Sequence, residues 1–81
     1  MAHKSISHNG AAIRALRMAK GLTVTELARR AGTTPQSLSN LELEHRPGSA
    51  HMLNQIALGL GVGLDAICRD RIATEPITVP A

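Results

Sequence analysis

Leu22 to Glu42 reads LTVTELARRAGTTPQSLSNLE, and this stretch decides the fold. Thr23-Val24-Thr25-Glu26 is a capping box: the Thr23 hydroxyl accepts from the backbone three residues on, and Glu26 reaches back. It opens a short helix over about 24–31, whose inner face is Leu27, Ala28 and Ala31. Gly32 ends that helix where the chain needs a left-handed residue. Thr34 then caps a second helix, and Pro35 at its first position gives up no hydrogen bond. This helix runs to about Leu43, with Leu38 and Leu41 as its buried side. Two short helices joined by a tight turn need a small residue at their crossing, a turn residue that tolerates positive φ, and apolar residues that lock the second helix. Ala28, Gly32, Leu38 and Leu41 stand at the required spacing.

Working outward, Asn9 caps a helix that runs to about Lys20, with Ile13, Leu16 and Met18 on its apolar side and Gly21 just past its end. Downstream, Glu44-His45-Arg46-Pro47-Gly48 is a polar loop. Ser49 caps a further helix to about Leu60, burying Leu53, Ile56, Ala57 and Leu60. After the break at Gly61-Val62-Gly63, a short fifth helix over Leu64 to about Arg69 turns Leu64 and Ile67 inward. Nowhere do apolar residues alternate with period two, so the class is all-α. Residues 1–8 read as a flexible arm, 9–72 as the domain, and 73–81 as an irregular tail with Pro76 and Pro80.

Length and composition narrow the function. The chain has 81 residues, one domain near the lower limit for a self-sufficient core, so that pairing with a second copy would add stability. It has no Phe, Tyr or Trp. Readers of single-stranded nucleic acid stack bases on such rings, so a nucleic-acid partner is expected to be a duplex. The charge is +3, unevenly placed: residues 1–46 carry a net +4 and residues 47–81 a net −1. The basic half suits phosphates, although a solvated surface has the same composition. Cys68 is the single cysteine and makes no internal disulfide, which is compatible with a reducing cytoplasm. There is no signal-like or membrane-length apolar run. His3, His8, His45 and His51 lack metal-ligand spacing, nothing asks for a cofactor, and no motif carries an enzymatic mechanism.

The stretch Leu22–Glu42, with IRALRMAKG (Ile13–Gly21) before it and LNQIALGLGVGLDAI (Leu53–Ile67) after it, resembles the phage-repressor and Cro-like helix-turn-helix proteins, the XRE family. The resemblance implies a compact five-helix, lambda-repressor-like domain. It implies a sequence-specific regulator of transcription, a repressor by default, that binds double-stranded DNA as a homodimer on a palindromic operator. The helix over about 35–43 would enter the major groove N-terminal end first. Pro35, Gln36, Ser37 and Asn40 would meet base edges. An amide bonds adenine bidentately, and serine suits several bases. Thr23 and Thr34 at helix starts, with His45, Arg46, Lys20 and Arg14, would meet phosphates.

The same resemblance pairs Arg17 of the first helix with Glu42 at the end of the recognition helix, a structural ion pair. Leu64, Ile67, Cys68 and Ile72 are apolar residues left for a dimer surface. Three positions depart from the family pattern. Val24 stands where glutamine is frequent. Pro35 offers only apolar contact, such as a thymine methyl. Glu44 stands where a glycine is usual. A second reading, an antitoxin-like module that binds a protein partner through its 74–81 tail, rests on that tail alone.

Overall fold

The computed structural model describes residues 7–69. Four α-helices and one 3-10 turn follow in order: α1 over Gly10–Ala19, α2 over Val24–Ala31, α3 over Pro35–Glu42, α4 over Ala50–Leu60, and the turn over Leu64–Ile67. Each α-helix starts at the cap its sequence supplies. Asn9 Oδ1 accepts from the Ala12 N–H at 3.1 Å, and Ser49 Oγ from that of Met52 at 3.0 Å. Gly32 and Gly61 close α2 and α4 in the left-handed region, each at φ 74°. Beyond Gly32, the Thr33 N–H returns to the Ala28 carbonyl at 2.9 Å, which satisfies a carbonyl the helix end would leave bare.

The helices enclose an aliphatic core of Ile13, Leu27, Ala28, Ala31, Leu38, Leu41, Leu53, Ile56, Ala57, Leu60 and Ile67. Burying each Leu or Ile contributes about 1.5–3 kcal/mol against exposure. Small residues let the helices approach. Gly59 on α4 faces Leu27 and Arg30 of α2 at a separation that leaves almost no room for a side chain. With α2 wedged between α4 and α3, and α3 against α1, the outer end of α3 is left to solvent.

The fifth helix is shorter than the sequence suggests. Only Leu64–Ile67 coil, as a 3-10 turn with no side-chain cap at Gly63. Cys68 then goes extended, because it pairs with His8 in an antiparallel bridge. Arg69 N–H donates to the Ser7 carbonyl at 2.8 Å, and Asn9 N–H to the Ile67 carbonyl at 2.8 Å. Ser7 and His8, read from sequence as part of a flexible arm, are therefore pinned to the end of the domain, and His8 is buried. Ile67 is wholly buried, so it has no surface to offer a second copy and leaves the dimer set. Leu64 and Cys68 are half-buried against the core; Ile72, Lys4 and the 73–81 tail lie outside the described residues. No helix among the described residues is long and apolar enough to cross a membrane.

Candidate nucleic-acid interface

The first turn of α3 is built to present polar groups. Leu38 and Leu41 are held in the core, which rolls Pro35, Gln36 and Ser37 outward and leaves Asn40 half-exposed one turn later. Thr34 Oγ1 accepts from the Ser37 N–H at 3.1 Å and donates to Ser37 Oγ at 3.0 Å. The Ser37 hydroxyl therefore keeps its own hydrogen for an outside acceptor. Pro35 has no N–H and that of Ser37 is taken, so Gln36 supplies the amide nearest the helix start.

Thr23 is less open than its position suggests. Its hydroxyl accepts from the Glu26 N–H at 3.0 Å, and its own N–H is taken by Glu26 Oε1 at 2.8 Å. The Glu26 carboxyl is held below its usual pKa, first by the Thr23 backbone N–H, then by the Thr23 hydroxyl, with Arg29 and Arg30 adding to it, so both Thr23 donors are turned toward Glu26.

Of the cationic candidates, Arg46 shares a groove with the first turn of α3. With Ser37, Leu41, Pro47, Gly48, Ser49 and Met52 it lines a groove of about 210 Å³. His45 and Arg46, both exposed, also border a second groove with Ser7, His8, Glu44 and Arg69. Arg14 lies elsewhere, on a flank of α1 shared with Ala11, Ala15, Met18, Glu42 and Leu43. Lys20 caps the end of α1 and is exposed, but borders none of these grooves.

Arg17 and Glu42 meet as a bidentate pair. Arg17 Nε donates to Glu42 Oε2 at 2.7 Å and Nη2 to Oε1 at 3.1 Å, while Nη1 donates to the Leu22 carbonyl at 2.9 Å. Their side chains are 12% and 6% exposed, so the pair is largely withdrawn from water. It fixes α1 against the last turn of α3.

Three residues that sequence reading left out complete the end of α3. Glu44 sits in the left-handed region at φ 59°. Its Oε2 accepts from the Gly10 N–H at 2.8 Å, and its two oxygens accept from Arg69 Nη1 and Nη2 at 3.0 and 2.9 Å. The Arg69 bonds, with Gly10 second, hold the Glu44 carboxyl below its usual pKa. Arg69 Nη1 also donates to the His8 carbonyl at 3.0 Å. His8 Nε2 donates to the Leu41 carbonyl at 2.8 Å. The departure from glycine at Glu44 was the one signal available in sequence; nothing marked His8 or Arg69 as its companions.

Known proteins share this fold. The Helix-turn-helix family model matches residues 13–67. The chain is similar to the clp gene regulator ClgR of Corynebacterium glutamicum, at 36% identity and a TM-score of 0.67 over 70% of this chain and 75% of that one. It is similar to the restriction-modification controller protein C.AhdI of Aeromonas hydrophila, at 28% identity and 0.69 over 70% and 86%. It is similar to SinR, a master regulator for biofilm formation solved in complex with DNA, at 29% identity and 0.66 over 70% and 95%. No curated protein matches it significantly. With the family model running from within α1 to the end of the 3-10 turn and the braced, outward-facing α3 at its centre, the chain belongs to the XRE-type helix-turn-helix family of DNA-binding transcription regulators, which are not enzymes.

Proposed function

We propose that this chain is a sequence-specific regulator that reads double-stranded DNA with α3, and that it represses by occupying a palindromic operator as a homodimer. One observation carries the reading: Gln36, Ser37 and Asn40 form an outward polar row on a short helix whose back is locked in the core. Gln36 and Asn40 are amides that bond adenine bidentately, and the Ser37 hydroxyl is oriented by Thr34 with its hydrogen left to donate. Pro35 adds apolar contact to a thymine methyl. Arg46 beside Ser37, with His45 and the start of α3 at Thr34, would hold phosphates along the groove edge; Thr23, Arg14 and Lys20 are the outer candidates. SinR, similar over 70% of this chain, was solved with DNA.

Dimerisation follows from scale. One recognition helix buries too little surface for strong specificity, and a symmetric pair reads two half-sites one helical turn apart. Leu64 and Cys68, half-buried near the end of the domain, with Ile72 beyond it, are the residues proposed for that contact. Repression needs nothing more of the protein than occupancy of the groove.

The test is selection of bound duplexes from a random library with purified protein at moderate salt. Enrichment of a palindrome with half-sites about 10 bp apart is expected. Salt-sensitive binding without enrichment would overturn sequence-specific reading and turn attention to a protein partner.

A further inference from the structure

We propose that Glu44 is a positioning residue for DNA reading: with Arg69 and Gly10 it forms a clasp that sets the angle of α3, without itself touching DNA. This rests on the proposal that α3 reads DNA.

Glu44 occupies a backbone conformation that glycine adopts freely and glutamate does not. A residue held there at a steric cost must be kept by what its side chain does. Its carboxylate accepts three hydrogen bonds from two partners distant in sequence: the N–H of Gly10, at the start of α1, and the guanidinium of Arg69. The carboxylate faces a helix N-terminus, where the partial positive charge of α1 favours it. Glu42, two residues earlier, is bound by Arg17, toward the other end of α1. The exit of α3 is thus attached to α1 at two points along its length, and the second attachment includes Arg69, just past the 3-10 turn. One point of attachment lets a helix pivot; two do not. Gly10 also lies so close to the Leu41 and Glu42 carbonyls that no methyl fits between α1 and α3 there, which makes the second point a close one.

Electrostatics alone gives the opposite sign, and that makes the idea testable. Glu44 directly precedes His45 and Arg46, the proposed phosphate contacts, so deleting its charge should tighten binding to any duplex. If Glu44 sets the angle of α3, deleting it should weaken binding to the selected operator only.

The variants are Glu44→Gly, which relieves the backbone cost, and Glu44→Asn, which tolerates the same conformation. Each is melted to establish folding, then titrated by anisotropy onto the operator and onto a scrambled duplex of equal length, across a salt series. The expected result is a folded protein with operator affinity reduced roughly tenfold, about 1.4 kcal/mol, scrambled-duplex affinity equal or higher, and an unchanged or steeper salt slope. Arg69→Gln should give the same loss of discrimination, and adding it to Glu44→Asn should cost little more. Parallel tightening on both duplexes, or no change on either, would overturn the proposal. Unfolding of both glutamate variants would overturn it too, since the clasp would then serve stability and not aim. Failure of the parent protein to distinguish the two duplexes would instead remove the DNA-reading proposal beneath it.

Discussion

Gln36 and Arg46 separate two kinds of DNA contact at the residue scale. Gln36→Ala should cost about 1–3 kcal/mol on the operator and relax specificity at one base pair per half-site, measured by binding to singly substituted duplexes. Arg46→Ala should weaken all sequences alike and lower the salt slope by about 1. Identical losses for both on every duplex would remove the reading face from α3. Arg17 is a different case. Arg17→Ala leaves Glu42 buried without its cation and the Leu22 carbonyl without a donor, so it should destabilise the fold by about 3 kcal/mol in denaturant unfolding. A double-mutant cycle with Glu42 should show strong coupling. This pair was legible because family likeness aligned two residues 25 apart. Glu44 with Arg69, also 25 apart, was not, since no local rule joins them.

At the scale of elements, the starts and ends of the α-helices were legible because capping is local. Asn9, Thr23, Thr34 and Ser49 each bond an N–H three residues away. What local reading missed is the last element, where pairing with His8 draws Cys68 out of helical geometry. A distant partner overrode the apolar spacing of Leu64 and Ile67. Gly10 offers the matching test. Glycine to alanine inside a helix ordinarily stabilises by up to about 1 kcal/mol. Here the added methyl meets the Glu42 and Leu41 carbonyls, which are backbone and cannot swing aside. Gly10→Ala should therefore destabilise, by about 1–3 kcal/mol as overpacking does, read as a lower melting temperature.

For the whole molecule, acid is the informative variable. Glu26 and Glu44 both titrate below their usual range in the folded state. A carboxyl with a depressed folded pKa contributes stability that is present above its unfolded pKa and is lost as pH falls through the folded value. Melting temperature should thus hold through neutral pH and drop below the ordinary carboxylate range. In Glu44→Asn that acid limb should be shallower, and an unchanged limb would assign the effect to other carboxyls. The same cluster has an architectural consequence. Arg69 N–H reaches the Ser7 carbonyl at 2.8 Å, so the polypeptide enters and leaves the helical bundle at one spot. The described unit is thus a cassette with its entry and exit side by side, beside the exit of α3, the geometry that insertion into a surface loop of a host protein requires.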